Sequence, residues 1–344
     1  MTEVASALVE SLQSGQIDAC ELIATPERFG DVGRTAESTP IAELVALEPL
    51  IEDGDVEPDS WRRVGLDPGI SLGALDAGDR EWLADVLRFW RTKPRQVIET
   101  TSPDDWIQTR GPANYYRTGR TTIRRVRQAM LQTRKAEVRR ILDFGSGYGR
   151  ILRQFKAAFP EAQLAACDIL PEAVDFCAQT FGAEPVYAAD DPGDTSLEGQ
   201  FDMIWLGSLF THLDAARWKS LLDLLEGVLE PEGLLLFTSQ GRFIRDRIAG
   251  RSWLDASGEP IWVNWGVGED QLDRVVADYD AGGFGYLEWD ALDRQYGTSI
   301  ATPAWVMEQL QTRPGFEIIG YWELGWRPQD LVSCVGRGTA ETSK

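Results

Sequence analysis

The sequence predicts an α/β protein built on a seven-stranded, mostly parallel sheet that ends in an antiparallel hairpin. Five strand-length apolar runs recur at regular intervals, at Arg140–Phe144, Gln163–Asp168, Pro185–Ala189, Phe201–Leu206 and Gly233–Thr238. Between them lie three amphipathic stretches, Arg150–Phe159, Pro171–Phe181 and Asp214–Leu229, with apolar residues at three- and four-residue spacing. Two more strand patterns, Glu317–Glu323 and Asp330–Gly336, follow with only a short link between them. Strands that alternate with helices require crossovers and therefore run parallel, whereas a short link cannot cross over and reverses the chain.

Residues 1–100 read as an acidic N-terminal extension, partly helical and partly irregular. Turn-rich passages such as Glu52-Asp53-Gly54-Asp55 and Asp67-Pro68-Gly69 separate its apolar segments. Helices are expected at Ile41–Ile51 and at Asp79–Trp90, where Trp82, Leu83, Val86, Leu87 and Trp90 share one face behind an aspartate cap. Residues 101–344 form the main domain, entered through Tyr115, Tyr116 and a helix rich in Arg117, Arg120, Arg124, Arg125, Arg127, Arg134, Lys135 and Arg139. That basic run reads as a solvated helix face turned toward the acidic extension, or as a contact for an anionic acceptor. An aromatic insertion, residues 241–313, interrupts the alternation with Trp253, Trp262, Trp265, Tyr286, Trp289, Tyr296 and Trp305. It is too long to be a simple connector.

Composition excludes several classes of function. A formal charge of -21 disfavours nucleic acid, whose binding depends on neutralising phosphates with lysine and arginine. No apolar run approaches the length of a membrane span, and Met1–Gln13 lacks the pattern of an export signal, so a cytoplasmic protein is expected. Cys20, Cys167, Cys177 and Cys334 lack paired spacing, which suits packing in a reducing compartment; no metal site is expected. Oligomeric state is not encoded in any recognisable pattern.

Chemistry concentrates in Ile141-Leu142-Asp143-Phe144-Gly145-Ser146-Gly147-Tyr148-Gly149-Arg150, a buried strand running into a glycine-rich turn and then a helix. Alternate glycines let the backbone pass close beneath a ligand, with helix N-terminal amides facing it. In the dinucleotide fingerprint G-x-G-x-x-G the third glycine would occupy the place of Arg150. Asp143, two residues before the first glycine, would also repel a pyrophosphate and suits a ligand with a cationic amino group. An NAD(P)-dependent oxidoreductase is therefore the disfavoured alternative, and a non-catalytic binding or scaffold protein on the same fold is the other.

This D-x-G-x-G-x-G arrangement resembles motif I of the class I S-adenosylmethionine-dependent methyltransferases, which implies a Rossmann-like fold and S-adenosyl-L-methionine as cofactor. The resemblance implies that Asp143, Phe144, Gly145, Gly147 and Gly149 hold the methionine end. Asp168, about twenty residues beyond the turn, resembles motif II and would accept hydrogen bonds from the ribose hydroxyls beside Ile169, or cap the helix at Pro171. Asp190 takes the place where the family often sets a residue beside the adenine. Phe201-Asp202-Met203-Ile204-Trp205-Leu206-Gly207-Ser208-Leu209-Phe210-Thr211-His212 resembles motif IV, with Gly207 and Ser208 lining the gap between methyl donor and acceptor. His212, the only histidine, is the candidate general base or a structural hydrogen-bonding residue.

Tyr296-Gly297-Thr298-Ser299, Thr302-Pro303-Ala304-Trp305-Val306 and Gly325-Trp326-Arg327-Pro328-Gln329-Asp330 look like a methyltransferase subgroup linked with glycan or cell-surface biosynthesis. The expected reaction is transfer of a methyl group to a hydroxyl of a small molecule or glycan. Phe210, Tyr116, Trp265, Tyr296 and Gln329 are the expected acceptor contacts, although the aromatic residues equally suit a packed lid. No N-P-P-[YF] pattern follows the fourth strand, which argues against methylation of amino groups on DNA bases or glutamine.

Overall fold

Fully apolar strands must be covered on both faces, and helices placed between successive strands are what cover them. The computed structural model describes residues 8, 11–12, 16–41, 44, 69–90, 97–109, 112–254, 260–289 and 296–337. These fall into two units, Met1–Gln96 with Arg124–Glu137, and Val97–Ile123 with Val138–Lys344.

The first unit packs α1 (Ala19–Ala24), α2 (Gly30–Ser38) and α3 (Ala77–Trp90) around Leu22, Ile23, Ala36, Leu72, Leu83 and Leu131. The helix expected over 79–90 is present as α3. The side chains of Trp82, Val86, Leu87 and Trp90, and most of Ile41–Ile51, lie outside the described residues. Residues 124–137, assigned from sequence to the main domain, belong here, and Arg134 pairs with Asp79 on α3. Arg134 stands just past the end of the basic helix, at φ 55°. The helix concerned is α4 (Pro112–Gln132), whose residues through Ile123 belong to the second unit.

The second unit contains the expected seven-stranded sheet. Its strands are β1 (Arg140–Phe144), β2 (Gln163–Asp168), β3 (Glu184–Tyr187), β4 (Phe201–Leu206), β5 (Leu229–Ser239), β8 (Phe316–Trp326) and β9 (Gln329–Gly336), in the order β3-β2-β1-β4-β5-β9-β8. The first five pair in parallel, and β9 runs antiparallel to both β5 and β8. Three helices make crossovers: α5 (Leu152–Ala158), α6 (Pro171–Phe181) and α7 (Ala215–Val228). Local chemistry fixes their ends. Pro171 opens α6, Gly182 closes it at φ 68°, and the Asp214 carboxylate accepts the Ala216 and Arg217 N–H groups at the start of α7.

Strand order reverses at β1, which has β2 on one side and β4 on the other. The crevice outside the C-terminal ends of β1 and β4 is therefore where this topology admits a ligand. β5 begins at Leu229 instead of Gly233, because its register with β4 shifts between Phe201 and Met203 and absorbs the intervening residues. The β8–β9 hairpin closes through two residues, Arg327 and Pro328, with Trp326 paired to Gln329. Arg327 has φ 59°, the left-handed conformation that a two-residue hairpin loop needs at its first position.

The insertion, for which the sequence reading gave no elements, has its own core of Ile244, Ile248, Trp262, Leu272, Val275, Leu287 and Ile300. It contains α8 (Arg242–Ala249), α9 (Glu269–Gly282) and a two-stranded antiparallel sheet of β6 (Phe284–Glu288) and β7 (Gly297–Ala301). α10 (Pro303–Gln311) leads back to β8. No helix among the described residues is long and apolar enough to cross a membrane.

Arg153 on α5 is fully buried and ties the entry segment to the glycine turn. Its guanidinium donates to the carbonyls of Ile98 (2.7 Å), Thr100 (3.0 Å) and Gly149 (3.1 Å) and to the Tyr115 hydroxyl (3.2 Å). Replacing it with methionine keeps the volume and strands five acceptors, the Tyr148 carbonyl at 3.4 Å included. Arg153→Met should therefore destabilise the protein by about 3–5 kcal/mol, read as a lower denaturant midpoint.

Candidate functional site

The glycine turn has the backbone geometry its composition demands. Gly145, Gly147 and Gly149 all have positive φ, at 80°, 49° and 76°. A Cβ on Gly149 would stand 2.4 Å from the Phe181 ring, so this glycine also lets α6 pack close. The turn is pinned to the end of β2: the Cys167 carbonyl accepts the N–H groups of Gly145 (2.8 Å) and Ser146 (3.0 Å). Asp168 accepts the Gly147 N–H on Oδ2 (2.7 Å) and the Leu170 N–H on Oδ1 (3.0 Å). Each oxygen keeps acceptor capacity toward the crevice, so Asp168 both caps the helix and remains able to receive hydroxyl groups.

Asp143 is 2% exposed at the end of β1. It accepts the Leu152 backbone N–H, yet its Oδ2 has no hydrogen-bond partner. Burial, and then the neighbouring Asp168 charge, push its pKa up to about 7 against the opposing pull of Arg150. A buried carboxylate oxygen without a donor is costly, and a ligand ammonium would satisfy it. Arg150, which opposes that rise, holds its guanidinium 5.7 Å from the centre of the Trp326 ring. An unsatisfied buried carboxylate above a glycine cradle fits the ammonium of a methionine-derived cofactor.

On the far side of the switch point, Ser208 follows β4 in a left-handed conformation, φ 66°. Its N–H donates to Thr238 Oγ1 (2.7 Å), and its hydroxyl meets the Gln329 amide at 3.0 Å. Thr238 in turn donates to Gln329 Oε1 (2.7 Å). Gln329, expected to touch the acceptor, is thus engaged in holding the motif-IV turn, and Asp330 is engaged by the Tyr321 hydroxyl and the Leu324 N–H. Phe210 is a second correction. Its ring is fully buried against Trp218 and Phe237 in the main core, because the one-turn helix Phe210–His212 directs it inward.

His212 faces the insertion instead. Its Nδ1 lies 2.8 Å from the Gly297 carbonyl, its ring stacks on Tyr296 at 4.3 Å, and Trp289 meets it edge-on at 5.3 Å. Burial pulls its pKa down to about 4. Burial, and then the Asp168 charge, raise the pKa of the Tyr296 hydroxyl. Trp289 and the Gly297 carbonyl were not singled out from sequence as partners of His212, since the contact spans 85 positions and leaves no local pattern.

The remaining expected residues are dispersed. Tyr116 lines a cavity of about 400 Å³ with Val97, Glu99, Arg120 and Gln154. The Trp265 side chain lies outside the described residues. Asp190 is exposed just beyond β3, while its neighbour Asp191 accepts the Gly193 N–H and the Ser220 hydroxyl. Among the described residues, no group of three or more His, Cys, Asp or Glu could hold a metal ion.

This topology, a seven-stranded sheet of order β3-β2-β1-β4-β5-β9-β8, defines a Rossmann-like protein. Residues 141–233 match the family described as a methyltransferase domain. Within the main sheet, residues 141–233 are therefore assigned as a methyltransferase domain. No curated protein matches the sequence. Similar solved structures include an S-adenosylmethionine-dependent methyltransferase from Clostridium acetobutylicum, with 12% identity and a TM-score of 0.44 over 68% of this chain and 96% of that one. One from Methanosarcina mazei has 18% identity and a TM-score of 0.40, over 58% and 93% of the two chains. An amino pentose methyltransferase from Micromonospora echinaspora has 15% identity and a TM-score of 0.40, over 64% and 91%.

The two acids give three expected outcomes. An ammonium pairs only with ionised Asp143, so affinity for S-adenosylhomocysteine should fall about tenfold per pH unit below about 7 and level off above it. Asp143→Asn should flatten that slope in calorimetric titrations. The folded protein holds the Asp143 proton more tightly than the unfolded chain does, so ligand-free stability should decline as pH rises from about 4 to about 7, and Asp143→Asn should abolish the decline. Asp168→Ala should weaken S-adenosylhomocysteine binding by roughly 100-fold, the worth of about 3 kcal/mol in hydrogen bonds to a charged acceptor.

Proposed function

We propose that this chain transfers the methyl group of S-adenosylmethionine to a hydroxyl of a small molecule or glycan. The state of His212 carries the reading. A carbonyl can only accept, so the Nδ1 facing the Gly297 oxygen bears the proton and Nε2 keeps its lone pair. With its pKa pulled down to about 4, the ring is neutral at physiological pH. A neutral acceptor suits a hydroxyl, which has one hydrogen to donate and lone pairs to aim at the methyl group.

When bound, the cofactor supplies a methyl group already activated on a sulfonium. The protein has to bind, align and exclude water. In this proposal Asp143 takes the ammonium, Arg150 the carboxylate, the backbone at Phe144, Gly145, Gly147 and Gly149 the space beneath the tail, and Asp168 with Ile169 the ribose. Asp190 stands on the adenine side. Gly207 and Ser208 line the gap, and Tyr296 with Trp289 forms an aromatic wall suited to a sugar or other ring face. His212 Nε2 accepts the acceptor hydrogen and orients the oxygen. A base this weak contributes chiefly by alignment, with the proton leaving as the new C–O bond completes.

The test is a labelled-methyl assay against fractionated cell extract. Label in a base-stable ether supports the reading, and label exclusively on nitrogen overturns it. His212→Gln should lower kcat by about 100-fold, within the range of a positioned acid–base group, with S-adenosylhomocysteine affinity unchanged. The His212-dependent rate should stay flat from pH 6 to 8 and fall away as pH approaches about 4, where the lone pair is lost.

A further inference from the structure

A buried indole near the end of β4 lacks an acceptor. Trp205 is fully buried, and its Nε1 has no hydrogen-bond partner. Trp218 and Trp326, the other two tryptophans buried as completely among the described residues, both donate. Trp218 gives its N–H to the Phe210 carbonyl at 2.8 Å, and Trp326 gives its own to Thr122 Oγ1 at 2.8 Å. A buried indole N–H ordinarily finds such an acceptor, because leaving it unmade costs the full desolvation of the group. Trp205 departs from that pattern, and its place in the sheet indicates what would complete it.

On β4, Trp205 is the register partner of Asp143 on β1. Partners on neighbouring parallel strands project from the same face of a sheet, and here it is the face opposite Leu142, Phe144, Ile204 and Leu206, which all enter the main core. The indole nitrogen also reaches toward the C-terminal end of its strand. A Cβ on Gly207 would stand 2.9 Å from Trp205 Nε1, so the turn after β4 leaves this position bare beside the N–H. The Trp326 ring steadies the indole, meeting it edge-on at 5.7 Å and 63°. Neighbouring strands thus hold a buried oxygen without a donor, Asp143 Oδ2, and a buried nitrogen without an acceptor, Trp205 Nε1. Two orphan groups of opposite sense are complementary to a ligand that offers a cation and an anion close together. The head of an α-amino acid, with its ammonium and carboxylate on one carbon, is such a ligand.

We propose that the Trp205 indole donates its N–H to the carboxylate of the cofactor's amino-acid tail while Asp143 takes the ammonium, so that β1 and β4 read the two charges of one group. The proposal rests on the methyltransferase reading of the crevice and adds a residue that discriminates between cofactor analogues. Arg150, whose guanidinium lies over the ring of Trp326, balances the carboxylate as a charge. The indole fixes its direction, because a single N–H on a rigid ring donates along one line. A tail that lacks the carboxylate leaves the Trp205 N–H as it stands in the free protein and gains nothing from it.

Calorimetric titration of the full chain with S-adenosylhomocysteine and with its decarboxylated analogue, which keeps the ammonium, separates the two halves of the tail. Trp205→Phe retains an aromatic ring and removes the donor. It should weaken S-adenosylhomocysteine by about tenfold, as loss of a hydrogen bond to a charged group predicts, and change affinity for the analogue by less than about twofold. Asp143→Asn should weaken both ligands. In the parent protein, the Trp205 indole proton, identified in NMR spectra by its proximity to the Gly207 backbone, should move downfield with S-adenosylhomocysteine and stay in place with the analogue. That second readout decides the matter even where Trp205→Phe does not fold. Equal weakening of the two ligands would make Trp205 a packing residue and overturn the proposal. Unchanged S-adenosylhomocysteine affinity in Trp205→Phe, or an indole proton that S-adenosylhomocysteine does not move, would do the same. Failure of S-adenosylhomocysteine to bind the parent protein would instead overturn the methyltransferase reading beneath it.

Discussion

Everything at the crevice is arranged around a carboxylate that water has left. Asp143 lies one residue from the end of β1, between the buried apolar Leu142 and Phe144, so its charge is satisfied chiefly from the crevice or by its own proton. The chain supplies it with one backbone N–H and no donor to Oδ2. The resulting rise in pKa is a measure of how much the empty site disfavours the charged form and, equally, of how much a cation entering it would gain. The cost of the unliganded state and the affinity for a cationic tail are two readings of the same desolvation.

The turn above that carboxylate has to be glycine-rich for two different reasons. Gly147 gives its N–H to Asp168 and leaves open space where a Cβ would stand, which keeps the turn clear for a ligand. Gly149 faces inward, and the Phe181 ring occupies the place of its missing side chain. The first glycine serves binding and the second serves packing, although the sequence pattern presents them as equivalent. Asp168 couples the two strand ends: by holding Gly147 it makes the shape of the glycine turn after β1 depend on a residue at the end of β2.

Sequence periodicity made the parallel sheet legible because each of β1, β2 and β4 is short, apolar and bounded by turn residues, leaving no competing pairing. The glycine turn and the two acids at the ends of β1 and β2 were legible for the same reason, since they sit within a few residues of recognisable strand patterns. The acceptor side was not. The insertion stabilises its helices and its β6–β7 pair through a small core of its own, and its strand patterns are broken by Gly285 and Gly297, which approach neighbouring backbone closely. Phe210 and Gln329 were misjudged because residues next to a functional turn are as often its supports as its contacts. One packs beneath the turn, and the other holds Ser208 in a conformation that a serine does not adopt unaided.

That support explains how a chain distant in sequence from β4 can govern what β4 presents. Ser208 is held by Thr238 from β5 and by Gln329 from the hairpin, and the same hairpin carries Trp326 and Arg327 against α4. The antiparallel end of the sheet is thus a bracket that holds the turn after β4 on one side and packs on α4 on the other. His212 is fixed by a different element, the Gly297 carbonyl of β7. The position of the turn and the orientation of the imidazole therefore depend on separate parts of the chain, the hairpin and the insertion, so a change at Gln329 is felt at Ser208 through its hydrogen bonds while the contact between His212 and Gly297 is left in place.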